Sequence, residues 1–93
     1  MSAKGKRHMG RVAMVPCVLC RHLGLGDSPA EVHHIREGQG AAMRADDMLT
    51  ASLCPAHHRG NDGIHGLGRR GFETRYKLTE LDLLAMTLEA LES

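Results

Sequence analysis

Four side chains of this 93-residue chain stand in two pairs with metal-ligand spacing: Cys17 and Cys20 in "CVLC", and Cys54 and His57 in "CPAH". A two-residue gap lets both side chains of a tight turn converge on one ion, and four thiolate or imidazole ligands are what a closed tetrahedral Zn²⁺ site takes. The fourth ligand stays open on spacing alone, because His58 adjoins His57 and His22 lies two residues past Cys20. A helix starting at Pro55 favours His57, three residues after Cys54 and on its side of the turn. The competing reading, ordinary buried cysteines or a redox pair, lacks the thioredoxin-like βαβ pattern that should surround it.

If zinc takes His57, then His33, His34, His58 and His65 remain within 33 residues. A lone histidine is ordinarily a surface or satisfied core residue; four of them around Gly-rich turns are not explained that way. Neighbours on a strand point to opposite faces, and neighbours on a helix are about 100° apart. Each adjacent pair, His33-His34 and His57-His58, can therefore serve two tasks, one member holding a metal while the other faces the zinc knuckle or an attacking water.

The order "CVLC … VHHI … LCPAHH" resembles the HNH, or ββα-metal, endonucleases, many of which bind a structural zinc through a CxxC before the first strand and a second pair at the helix start. The resemblance covers Cys17 to His65. The continuation "GIHGLGRRGFETRYKLTELDLLA" is similar to the phage recombination-enhancement, RecA-dependent nuclease family and extends the likeness through most of the C-terminal helix. What the resemblance implies is His33 as the strand-borne metal ligand, His34 as general base, His58 as the helix-borne ligand and His65 as a third ligand or phosphate contact. It also implies DNA as substrate and action beside a RecA filament. The middle Asn of the HNH pattern is not evident in "DDMLTASLC", where Asp46 or Asp47 can stand in; Asp62, four residues after His58, can displace His65.

The residue types suit phosphodiester hydrolysis independently of the likeness. A neutral imidazole accepts a proton at neutral pH, and a divalent ion polarises the phosphate and stabilises the departing 3′ oxygen. Imidazole ligands suit Zn²⁺, Mn²⁺ or Ni²⁺ better than Mg²⁺, although Mg²⁺ held partly through phosphate and water also serves, so the expected catalytic ion is Mg²⁺ or Mn²⁺ beside the structural Zn²⁺. Arg36, two residues past the base, is a candidate catalytic phosphate clamp, its plain alternative being an exposed loop arginine. DNA binding is expected along the backbone through Lys4, Lys6, Arg7, Arg11, Arg36, Arg69 and Arg70, and is therefore salt-sensitive.

These groups need elements to hold them. Residues 1–12, rich in Lys, Arg and Gly, read as a flexible basic arm, and residues 13–93 as one nuclease domain. "AEVHHI" is a short strand and "MLTASLC" a second; "AAMRA" between them reads as a helical turn. Pro55 opens a short helix that Gly60 and "NDG" end. "GRRGFETRYK" and "TELDLLAMTLEALES" are two longer helices, the second opened by a Thr79/Asp82 capping box and striped by Leu81, Leu84, Leu88 and Leu91. The expected class is α+β: a small zinc-stapled ββα-metal domain with additional C-terminal helices.

Composition agrees. With one Phe, one Tyr and no Trp, the chain has little to build a core from, so a staple is expected, and a base-stacking platform for single strands is disfavoured. The net charge of +1 divides into +5 over residues 1–78 and −4 over residues 79–93. Three cysteines without a secretory leader argue against a disulfide framework, and no apolar run approaches membrane length; the expected location is cytoplasmic. Two rival readings follow from the same residues. A zinc module that only grips DNA would leave the other histidines without chemistry, but the 33 residues between Cys20 and Cys54 exceed the spacer of about 12 in a C₂H₂ finger. An adaptor would work through the acidic, Leu-striped C-terminal helix, whose simpler role is packing.

Overall fold

The computed structural model describes residues 3–38 and 46–93. In chain order the elements are α1 (Ala3–Ala13), α2 (Val18–His22), β1 (Glu31–His34), β2 (Thr50–Leu53), α3 (Pro55–His58), α4 (Ile64–Tyr76) and α5 (Glu80–Glu92). The class is α+β, as expected: one two-stranded antiparallel sheet with helices around it. The helical turn expected over residues 41–45 lies outside the described residues.

The register sets His33 opposite Ala51 and His34 opposite Thr50. All four residues of β2 are buried, because α1 and α5 both pack against it. Small side chains make this close approach possible. The backbone N–H of Ser52 donates to Thr87 Oγ1 at 3.2 Å, and the Ser52 hydroxyl donates to the carbonyl of Val15. Buried polar groups are thus paired where the two helices meet the strand.

The flexible arm expected over residues 1–12 is corrected for its described part, residues 3–12, which belong to α1. Gly5, His8 and Val12 recur at helical spacing and form its buried face, while Lys4, Lys6, Arg7 and Arg11 are exposed. Glycines at Gly5 and Gly10 and the clustered basic residues masked this amphipathic pattern in the sequence. Lys4, Arg7 and Arg11 share one side of the helix by their three- and four-residue spacing.

A second correction concerns α5. Its capping box is present, with Thr79 Oγ1 accepting from the Asp82 N–H at 3.1 Å and Asp82 Oδ2 from the Thr79 N–H at 2.8 Å. The buried face, however, runs through Glu80, Leu83 and Thr87; of the expected stripe Leu84 and Leu91 pack against the core, whereas Leu81 and Leu88 are exposed. The helix is rotated from its leucine stripe so that a carboxylate and a hydroxyl, rather than two more leucines, meet the sheet.

The core joins Val15, Val18, Leu19, Ile35, Leu53, Ile64, Phe72 and Leu83 to the three cysteines, all of them free thiols. Helix α4 kinks at Gly68, whose φ of 75° and ψ of 164° suit glycine alone. No helix among the described residues is long and apolar enough to cross a membrane.

Candidate metal centres

Cys17 ends the segment before α2 as its N-cap, its sulfur accepting from the Cys20 N–H at 3.4 Å, so the first pair is presented by a single helical turn. The second pair comes from the start of α3, where Cys54 is the N-cap and Pro55 opens the helix. His57 Nδ1 lies 3.9 Å from Cys17 Sγ, 3.5 Å from Cys20 Sγ and 3.3 Å from Cys54 Sγ, and the Cys20 and Cys54 sulfurs are 3.8 Å apart. Tetrahedral ligands at ordinary Zn–S and Zn–N lengths are separated by about 3.8 Å between sulfurs and about 3.6 Å between sulfur and nitrogen. The four atoms therefore fit one zinc ion, and the cluster is consistent with a structural zinc site.

Burial pushes the Cys17 thiol up to about 11 and pulls His57 below the ordinary histidine value. Three thiols and a neutral imidazole packed together with no positive charge between them are stable only as neutral groups or around a cation. His57 rather than His58 completes this set, and His22, at the exposed end of α2, takes no part.

His33, His58 and His65 form a second group of potential ligands, with one nitrogen of each within 4.8 Å of the others. Their rings make a triangle with centroid separations of 5.1, 5.3 and 4.8 Å. Nε2 of His58 and Nε2 of His65 are 3.2 Å apart, close to the separation of about 3.3 Å for two imidazole ligands on one tetrahedral ion. The three imidazoles could therefore hold a metal ion. Burial and the neighbouring His58 and His33 lower the His65 pKa, so its lone pair is available near neutral pH.

His65 belongs to the first turn of α4, not to a loop, and reaches His58 because α4 begins directly against α3. Gly66 permits this contact: a side chain there would collide with the Gly60 carbonyl oxygen. Asp62, the alternative to His65, is turned elsewhere, with Oδ1 3.0 Å from Arg75 Nη1 and its carbonyl accepting from the Tyr76 hydroxyl at 2.7 Å.

His34 stands outside both groups. Its side chain is 35% exposed, and Nε2 lies 3.0 Å from Asp47 Oδ1. Between the two aspartates considered for the missing Asn, Asp47 contacts the histidine, whereas Asp46 shapes the turn by accepting the Met48 N–H at 2.8 Å. Arg36 is exposed just beyond β1, Arg69 Nη1 approaches Glu80 Oε1 at 3.9 Å, and Arg70 lies with Glu73, Thr74, Lys77 and Thr79 along an open depression.

Two residues of this region escaped the sequence reading. Glu80, on α5, places Oε2 2.6 Å from His33 Nε2, and both groups are almost wholly buried. Burial alone would raise the Glu80 pKa, but hydrogen bonds from His33 and from the Glu37 and Arg36 N–H groups outweigh it and lower the value. Glu31 accepts from His58 Nδ1 at 2.8 Å and from Nε and Nη2 of Arg59, and these contacts, Arg59 first, hold its carboxyl down at about 2. The capping box signalled a carboxylate in the first turn of α5; nothing in the sequence showed which way it faced.

A family model described as recombination enhancement, RecA-dependent nuclease, matches residues 1–92. No curated protein matches the chain.

Proposed function

Because the chain belongs to the recombination-enhancement, RecA-dependent nuclease family, we propose that it is a metal-dependent DNA endonuclease of the HNH, ββα-metal type. The observation that carries the reading is the division of the two histidine pairs: His57 joins three cysteines, His33 and His58 join His65, and His34 stands apart with a carboxylate on its Nε2. A structural site, a second ion site and a free base are three separate sets of side chains, each with donors suited to its task.

In this reading Cys17, Cys20, Cys54 and His57 hold the structural zinc. His33, His58 and His65 hold the catalytic Mg²⁺ or Mn²⁺. When bound, that ion stabilises charge on the scissile phosphate and on the departing 3′ oxygen. Asp47 can only accept a hydrogen bond while ionised, so it keeps the proton of His34 on Nε2 and leaves the Nδ1 lone pair for a water proton. The water oxygen attacks phosphorus as its proton passes to His34, and the phosphorus–O3′ bond breaks. Arg36 serves as phosphate clamp, and Lys4, Arg7 and Arg11, now fixed on one side of α1, bind the DNA backbone with Lys6, Arg69 and Arg70. The family description, a RecA-dependent nuclease in recombination enhancement, supports extending the proposal to action beside a RecA filament; phage recombination and a place inside the cell are part of the same proposal.

The test is cleavage of supercoiled and single-stranded DNA by protein carrying one zinc per chain, with Mg²⁺ or Mn²⁺ and with or without a RecA filament. Cleavage by the wild type that His34→Ala abolishes, with folding and zinc retained, is the expected result. If neither protein cuts under any of these conditions, a zinc-stapled module that binds without cutting becomes the better account.

A further inference from the structure

Glu80 is almost completely buried and yet fully occupied. Oε1 accepts the N–H of Arg36 at 3.0 Å and the N–H of Glu37 at 2.8 Å, while Oε2 faces His33 Nε2 at 2.6 Å. It sits in the first turn of α5, where the helix dipole favours a carboxylate. Pinning α5 to the end of β1 would need only the two backbone bonds. The third bond goes to one of the three imidazoles that lie together, and a second carboxylate, Glu31, makes the same kind of bond to another of them, His58.

We propose that Glu80 is a positioning residue for His33: it holds the proton on Nε2, so that His33 offers Nδ1 to a divalent cation while His58, protonated on Nδ1 by its bond to Glu31, offers Nε2. The inference rests on the metal-centre reading above and deepens it. An ionised carboxylate has acceptors only, so the bridging hydrogen must come from the imidazole, and the lone pair is then on the opposite nitrogen. Outer carboxylates of this kind fix the tautomer and raise the basicity of a ligating histidine. The same carboxylate anchors the backbone at Arg36, two residues past His34, so the C-terminal helix orders both the ion site and the strand end that carries the base. No residue of α5 is itself a ligand.

Glu80→Gln tests this with almost no change of shape. The amide oxygen can still accept the two backbone N–H groups, but the amide nitrogen donates toward His33, which reverses the tautomer and protonates the nitrogen meant for the ion. Long-range ¹H–¹⁵N spectra of protein with its single zinc and no second metal report the tautomer directly, and calorimetric titration with Ni²⁺ and Mn²⁺ reports affinity. The expected result is an Nε2-protonated His33 in the wild type, the opposite tautomer in Glu80→Gln, and a roughly 10- to 100-fold loss of affinity for the second ion.

A wild-type His33 protonated on Nδ1 overturns the proposal without any variant being needed, so a variant that fails to fold does not protect it. Equal affinity of folded Glu80→Gln and wild type for the second ion overturns it while leaving the metal-centre reading intact. A wild type that binds no second ion overturns both.

Discussion

His57 and His58 are consecutive on one short helical turn, yet His57 Nδ1 is within 3.9 Å of three cysteine sulfurs while His58 Nε2 is 3.2 Å from His65. The rotation of about 100° between helical neighbours is enough to send the two rings into different clusters. Helix α3 thus contributes one imidazole to each cluster, and a change at one residue should be felt in one cluster before the other.

Substitution should therefore separate stability from activity. His57→Ala is expected to lose zinc and fold, as seen by metal content and circular dichroism. His58→Ala should keep one zinc and a cooperative melt while losing binding of a second ion and DNA cleavage. Loss of zinc content in His58→Ala would contradict the ligand division.

Removing zinc should unfold the protein outright. The core includes all three cysteines, and structural zinc binding supplies apparent free energies of about 10–16 kcal/mol against a total stability on the order of 5–15 kcal/mol for a small domain. A strong chelator should abolish the thermal transition, and re-addition of Zn²⁺ should restore it. A chelated protein that still melts cooperatively at the same temperature would rule out the staple.

If His34 is the base, as proposed, substitutions of it and of Asp47 should differ in severity. His34→Ala is expected to lower the cleavage rate by roughly 10²- to 10⁴-fold, the usual span for a general base. Asp47→Asn, which leaves the imidazole present but free to choose its tautomer, should lower it by less. Unchanged binding of the second ion in both variants would locate the defect in the chemical step, measured under single-turnover conditions.

Gly66→Ala places a methyl group against the Gly60 carbonyl oxygen, where there is no room for it. Separating α4 from α3 should cost about 1–3 kcal/mol and draw His65 away from His58. Calorimetric titration should show weakened binding of the second ion alongside a lowered melting temperature; retention of both would mean that the helices adjust without strain.

The buried pair His33–Glu80 predicts a pH dependence of stability. Because the folded-state pKa of Glu80 lies below its ordinary value of 4.5, its contribution is fully present above that value and is lost as pH falls through the folded one. Glu80→Gln should be less stable than wild type by about 1–3 kcal/mol near neutrality. Urea titrations should show that gap holding down to about pH 4.5 and narrowing below it; a gap that widens with acid would reverse the assignment.

Local chemistry made much of this molecule legible in the residues. The CxxC and CPAH pairs signalled a group of side chains able to hold a metal ion because ligand spacing in a tight turn is a local property, and Pro55 and the Thr79/Asp82 box marked two helix starts for the same reason. Strands β1 and β2 followed from their short apolar runs. The N-terminal helix was hidden because its buried face is Gly5, His8 and Val12, with only one strongly apolar side chain.

What the sequence by itself determined is which groups can coordinate, accept protons or cap a helix, since those capacities belong to residue types and short spacings. Only the tertiary structure decided their assignment: that Asp47 rather than Asp46 meets His34, that His65 rather than Asp62 joins His58, and that α5 turns Glu80 instead of Leu81 and Leu88 toward the sheet. A helix can bury any of several faces, and the choice depends on what the opposing surface needs. Here the end of β1 presents an imidazole and two backbone N–H groups that must be paired once they leave water, and a carboxylate satisfies all three where a leucine would leave them bare.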